Sequence, residues 1–396
     1  MTIEGSNTSS PAGRRLRLGM VGGGRGAFIG AVHRIAARLD DRYVLVAGAL
    51  SSDPVRARDS AADLFIPADR AYADFETMAR AEATRPDGID VVAIVTPNHV
   101  HFPAAKAFLE AGIDVICDKP MTRTVAEAEA LADLVERTGR VFVLTHNYSG
   151  YPMIRQARAM VAAGEIGRIR VIQVEYPQDW LTTRLEAGGT NKQAEWRTDP
   201  ARSGAAGCVG DIGSHAFQLA EFVSGLRCEA VAADLTTFVD GRPLDDNAGM
   251  LLRYAGGARG TLWCSQVAPG NANALKLRVY GETGGLEWSQ ENPNDLRHTP
   301  FGEPARTIIR SGPGADAAAA HASRVPGGHP EGYLEGFAQL YKDAAELILA
   351  NREKRRPDSA AAVLPTVYDG VRGVRFINAA VASSRRDAAW TPLSAV

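Results

Sequence analysis

The stretch Leu16–Leu39, LRLGMVGGGRGAFIGAVHRIAARL, decides the fold. A short apolar run enters a glycine cluster, and a helical apolar pattern leaves it. Gly22, Gly24 and Ala27 fit G-x-G-x-x-[GA], with Arg25 inside the loop. In that pattern the first glycine permits a tight turn and the second lets a pyrophosphate approach the backbone. The small third residue lets helix and strand pack closely. Amides at the helix N-terminus then meet the phosphate. An ordinary strand–helix turn also uses glycine. The strand before, the helix after and the place near the N-terminus favour a nucleotide site.

The next apolar run, YVLVAGAL, leads into SSDPVRAR. An NAD-preferring site usually has a carboxylate at this strand end for the ribose hydroxyls. Ser51 and Ser52 stand there instead, and with Arg56 they suit a 2′-phosphate. Alternatively, Asp53 and Pro54 simply begin a helix, and Arg56 is a solvated charge. NAD or NADP therefore both stay open. Further on, DVVAIV and DVIC are apolar without alternation, as strands buried on both faces are. Helical segments separate them, which implies right-handed parallel crossovers. Thr124 and Glu127 form a capping box for a helix that Gly139 ends. Residues 16–147 read as a doubly wound Rossmann domain.

After 147 the pattern changes. One helix starts at Pro152, a favoured first-turn residue. Then strands follow in runs: RIRVIQVEY, EAVAADLTTF, AGMLLRY, ARGTLWCSQV, KLRVYG and GLEWSQ. Consecutive strands joined by glycine turns imply an open, mostly antiparallel sheet. Residues 148–396 read as an α+β domain for substrate and oligomerisation, with the C-terminal helix free to pack back on the first domain. The overall class is α/β plus α+β. The glycine- and alanine-rich stretch 311–333 reads as a loop, and Trp196 and Trp263 as packing residues.

Bulk properties exclude several functions. The 396 residues exceed most single domains, and 45% hydrophobic residues suffice for two cores. A formal net charge of −2 supplies no basic field for nucleic acid or membrane. Four scattered cysteines make no metal or disulfide framework, so a reducing cytoplasm is expected. No apolar run approaches a membrane span. Residues 1–15 are polar, lack a signal-peptide core and are expected to be a disordered tail.

Two short motifs carry the chemistry. In VICDKPMT, Val115–Thr122, Pro120 bars continuation of the strand, and Lys119 presents an amine at the sheet edge. In CVGDIGSH, Asp211 and His215 are four apart, which at helical spacing puts them on one face. An aspartate one turn away can orient an imidazole and raise its pKa.

The glycine loop, TPNHVH, DKP and GDIGSH occur in this order across nearly everything after the N-terminal tail. The chain thereby resembles the Gfo/Idh/MocA family, which includes glucose–fructose oxidoreductase and inositol dehydrogenase. The usual family motif is Glu-Lys-Pro; here Asp118 stands for the glutamate. The resemblance implies that Lys119 is the catalytic lysine, His215 the general base and Asp211 a substrate contact. It places Thr96, Pro97, Asn98 and His101 beside the nicotinamide, and it implies a homodimer or homotetramer through the second sheet. The implied reaction transfers a hydride between nicotinamide and a secondary hydroxyl of a sugar, sugar derivative or inositol. Some relatives instead cleave glycosides by transient 3-hydroxyl oxidation with recycled NAD, an alternative that uses the same Lys119 and His215. A third class, a sensor without turnover, needs no base, so the set Lys119, Asp211 and His215 argues against it. Polar residues placed for a polyol pocket are Asn147 and Tyr148 after the last parallel strand, Asp179 and Trp180, Arg197, and His329 and Glu331 on the glycine-rich loop.

Overall fold

The computed structural model describes residues 14–189 and 191–396. Of the expected tail, residues 1–15, the first thirteen lie outside them. Of the two remaining residues expected in the tail, Arg14 donates to Asp90 at 2.5 and 2.8 Å and Arg15 pairs with Asp41.

The first sheet alternates strands and helices. β1 (Leu16–Gly22), α1 (Phe28–Leu39), β2 (Tyr43–Ala49), α2 (Pro54–Asp63) and α3 (Phe75–Thr84) come first. β3 (Val91–Val95), α4 (His101–Glu110), β4 (Asp114–Cys117), α5 (Val125–Thr138) and β5 (Phe142–Leu144) follow. All pairings are parallel, in the order β2-β1-β3-β4-β5. The strand order reverses between β1 and β3, so a crevice opens beyond their C-terminal ends. Thr124 and Glu127 cap α5 reciprocally, and Gly139 ends it in the left-handed region.

The chain then runs through α6 (Pro152–Ala162) and β6 (Ile169–Pro177) into an insert. The insert carries α7 (Lys192–Arg197), α8 (Pro200–Ser203), a π-helical turn at Val209–Gly213, and α9 (Ser214–Ser224). Strands β7 (Cys228–Thr236), β8 (Asn247–Tyr254), β9 (Arg259–Ser265), β10 (Lys276–Gly281) and β11 (Gly284–Ser289) follow. So do β12 (Asp295–Pro300) and β13 (Arg306–Ile309), which the sequence pattern did not announce. The inward place on β12 falls to a buried histidine, His298, which breaks the apolar alternation. α10 (Ala317–Ala322), α11 (Tyr333–Glu353), α12 (Val367–Ser384) and β14 (Thr391–Pro392) complete the chain.

The second sheet has the order β13-β12-β11-β10-β6-β9-β8-β7-β14. It is not a simple run of consecutive strands: β6 sits at its centre, parallel to β9 and antiparallel to β10. Side chains of α6, α9 and α12 pack on its inner face. Helix α11 belongs to the other core. Its Phe337, Leu340 and Tyr341 are buried with Leu16, Leu18 and Val32.

Candidate active site

The glycine loop turns at Gly22, whose φ of +80° is the left-handed region that glycine tolerates. The close helix–strand contact expected of Ala27 is made elsewhere. A Cβ on Gly30 would lie 2.4 Å from the Gly23 Cα and 2.5 Å from its carbonyl oxygen. Ala27 caps α1. Gly24 is also close-packed, but inward: a Cβ there would meet the Leu50 carbonyl oxygen and Ser60 Oγ, each at 2.7 Å.

From this loop a cleft of about 1170 Å³ runs past the ends of β1–β5 to the insert and the second sheet. Gly22, Gly24, Arg25 and Ala27 line its first part, with Ser51, Ser52 and Arg56. The Arg25 guanidinium is held by Asp59 and Asp63. Asp53 is the N-cap of α2, accepting from the Arg56 amide at 2.7 Å, and does not line the cleft. Thr96, Pro97 and Asn98 line the middle. His101 does not: it is buried, with its ring nitrogens 2.8 Å from the Pro120 carbonyl and 2.9 Å from the Thr96 carbonyl. It joins the two loops of the site instead of touching a ligand.

Lys119 follows β4 and leaves the sheet at Pro120. Its partner is not Asp118. The Lys119 ammonium donates to the Asp211 carbonyl at 2.6 Å and to Asp211 Oδ1 at 3.0 Å. Asp118 accepts from Thr145 Oγ1 at 2.5 Å and faces His33 Nε2 at 3.0 Å. The other carboxylate oxygen of Asp211 accepts from Arg197 Nε at 3.2 Å and Gln266 Nε2 at 2.9 Å. Burial would raise the Asp211 carboxyl, but Lys119 and Arg197 outweigh it and hold the group well below the usual carboxylate range. Gly213 lets this turn approach β9, since a Cβ there would stand 3.1 Å from Cys264 Sγ.

The four-residue spacing of Asp211 and His215 misleads. Asp211 lies in the π-helical turn, where spacing is wider than in an α-helix. Its oxygens go to Lys119, Arg197 and Gln266, and among the described residues His215 Nδ1 is buried with no hydrogen-bond partner. The expected rise in the His215 pKa is reversed. Burial pushes it well below the ordinary histidine value, Lys119 and His146 add to that, and Asp211 only partly opposes it. The His146 ring stands edge-on at 5.3 Å and is itself lowered to about 3, mainly by burial. Tyr148 and Tyr176 complete the surround, joined hydroxyl to hydroxyl at 2.5 Å.

A neutral His215 has a consequence for rate. Its neutral form, which accepts protons, is fully present at pH 6.5 and is lost only well below that. If His215 is the proton acceptor that the resemblance implies, kcat/KM for alcohol oxidation is expected to stay flat on its acid side from about pH 8 to about pH 6. A pH–rate profile checks this; a half-maximal point near 6.5 would mean a solvated imidazole.

Several expected substrate contacts are in place. Asn147, Tyr148, Trp180 and Arg197 line the cleft. Asp179 does not: its carboxylate accepts from the Gly270 amide at 3.1 Å. Glu331 is buried against Arg310 at 2.9 Å and is structural, while His329 is exposed and away from the cleft. Trp196 lines the cleft under Arg197, and Trp263 is 39% exposed on the outer sheet face, so neither is a core packing residue. The sequence reading missed Tyr176, Gln178, Asn273, Gln290 and Tyr333.

The residues present fit a nicotinamide dinucleotide. The glycine turn opens onto the cleft, and among the described residues Thr96 Oγ1 and Asn147 Nδ2 are buried beside it without protein partners. A bound ligand can satisfy those atoms.

Fold and cleft together are those of an NAD-binding oxidoreductase. Residues 16–157 match the oxidoreductase family with an NAD-binding Rossmann fold, and residues 154–287 match the GFO/IDH/MocA C-terminal domain. The chain belongs to the Gfo/Idh/MocA family. It is 35% identical over 378 residues to the uncharacterized oxidoreductase YfiI of Bacillus subtilis (strain 168), covering 95% of this chain and 96% of that one. A solved oxidoreductase from Sinorhizobium meliloti shares 54% identity at a TM-score of 0.86, covering 96% of this chain and 99% of that one. An inositol dehydrogenase homolog from Azotobacter vinelandii, solved with NADH and myo-inositol, shares 36% identity at a TM-score of 0.89. That alignment covers 96% of this chain and 98% of the other.

Proposed function

We propose that the protein oxidises a secondary hydroxyl of a cyclic polyol or sugar, or runs that reaction in reverse. The observation that carries this is the meeting of Lys119, Asp211 and His215 at one cleft, beside the rings of Trp180 and Trp196. When bound, the nicotinamide supplies the hydride acceptor. Lys119, held by Asp211, stabilises the oxygen that gains negative charge. Neutral His215 takes the hydroxyl proton. The flat indole faces suit the apolar faces of a ring, and the Azotobacter neighbour with myo-inositol supports this class.

Two further parts belong to the proposal. Either NAD or NADP is accepted, because Ser51, Ser52 and Arg56 line the cleft while Asp53 is spent on capping. The chain assembles as a homodimer or homotetramer through the outer face of the second sheet, where Val171, Leu251 and Trp263 are 38%, 54% and 39% exposed. Among the described residues no helix is long and apolar enough to cross a membrane. Four free, buried cysteines suit a reducing cytoplasm.

The test is a panel of polyols, sugars and glycosides with each cofactor, combined with product analysis. Reduced cofactor is expected to accumulate in equal amount with a ketone product. Sugar released from a glycoside with no net reduced cofactor would point to the redox-neutral route and sink this reading.

A further inference from the structure

We infer that the alcohol carries a carboxylate a few bonds from its reacting hydroxyl, and that Arg197 recognises it; this rests on the dehydrogenase reading above. Arg197 ends α7 with its side chain 24% exposed. Nε donates to Asp211, and Nη1 to Gln193 Oε1 at 2.5 Å. The guanidinium carbon stands 4.3 Å from the centre of the Trp196 ring and 5.9 Å from that of Trp180. Two aromatic faces and three hydrogen bonds, the third from Nη1 to the Gln193 carbonyl at 3.3 Å, fix its plane. Among the described residues Nη2 donates to no protein acceptor, and Arg197 lines the cleft.

The orientation of the neighbouring carboxylates points the same way. One carboxylate, Asp211, faces two cations, Lys119 and Arg197, and its oxygens already hold three donors. The neighbouring imidazoles of His215 and His146 are neutral. Asp118 also lines the cleft, so two carboxylates match Lys119 and Arg197 in number; but Asp118 is turned to Thr145 and His33 and the Asp211 oxygens are already taken, so neither answers the open Nη2 of Arg197. At the mouth Lys192 and Glu195 are exposed and offset each other, and Arg202 adds a further cation at the rim. A neutral polyol leaves that Nη2 without a charged acceptor. A carboxylate matches it, and a planar guanidinium is the group that best engages one. Lys119 and Arg197 grip the same carboxylate. A hydroxyl placed at Lys119 therefore brings a carboxylate a few bonds away against Arg197.

Matched probes decide the matter: D-glucuronate with D-glucose, and D-gluconate with D-glucitol, titrated calorimetrically into the NADH-loaded protein. At least one acid is expected to bind about tenfold or more tightly than its neutral partner, with the difference shrinking as salt rises. Arg197→Gln should abolish the difference, whereas Arg197→Lys, which keeps the charge, should retain part of it. Acids that bind no tighter than their neutral partners overturn the proposal, as does a preference that survives Arg197→Gln. Failure of the dehydrogenase reading shows separately, as no reduced cofactor formed from any alcohol, because the binding comparison requires no turnover.

Discussion

Lys119→Ala and His215→Ala are each expected to lower kcat/KM for alcohol oxidation by at least about 10²-fold, with NADH affinity within a few-fold of the parent. Lys119 is held by two bonds to Asp211, so its third N–H is the one left for a substrate oxygen. In the proposed reaction, removing it deletes the cation nearest the developing alkoxide. In the same proposed reaction His215 contributes differently, as a buried base whose burial keeps its pKa below the ordinary histidine value. If both act on one hydroxyl, the losses are not independent. The double variant should then lose little more than the worse single one. Steady-state kinetics with cofactor titration on the three variants tests this. Near-parental turnover in either single variant removes that residue from the chemistry.

The first sheet was legible because its signals are local. Unalternated apolar runs, a glycine turn and a capping box each act within a few residues, and the structure realises all three. The second sheet was legible strand by strand but not in its order. Nothing in β6 states that it will pair in parallel with β9, more than eighty residues later, because that choice is made by packing against α6 and α9. The conflict at Asp211 has a similar cause. Four-residue spacing implies a shared face only on an α-helix, and a π-helical turn leaves no compositional mark.

Some site residues were within reach and were missed. In EYPQDW, period-two alternation puts Tyr176, Gln178 and Trp180 on one side and Asp179 on the other. The structure follows that alternation: the first three line the cleft and Asp179 turns away. Favouring the carboxylate over the alternation was the mistake. Asn273, Gln290 and Tyr333 had no such signal. They reach the cleft only through the pairing of β10 with β6 and the return of α11 to the first core. His33 likewise sits among apolar residues of an ordinary helix, and its role at Asp118 depends on a tertiary contact.

Gly24→Val should weaken NADH binding by at least about 100-fold and should also destabilise the protein without cofactor. The second effect separates two accounts of this glycine. If a side chain at 24 only pointed at the pyrophosphate, the cofactor-free protein would be indifferent to it. Here the added carbon atoms meet the Leu50 carbonyl and Ser60 Oγ instead, at distances no real Cβ tolerates. Leu50 is backbone at the end of β2 and cannot swing aside, and the Gly24 amide is bonded to that same carbonyl at 3.2 Å. Ser60 Oγ in turn accepts from the Arg25 amide at 3.0 Å, so moving it releases the next residue of the loop. Overpacking of this kind costs about 1–3 kcal/mol. The loop shifts, and its amides no longer sit where a phosphate meets them. Thermal denaturation of the cofactor-free variant and NADH titration give the two readouts. An unchanged melting temperature with lost binding would restore the pyrophosphate account, and unchanged affinity would show that the loop is only a turn.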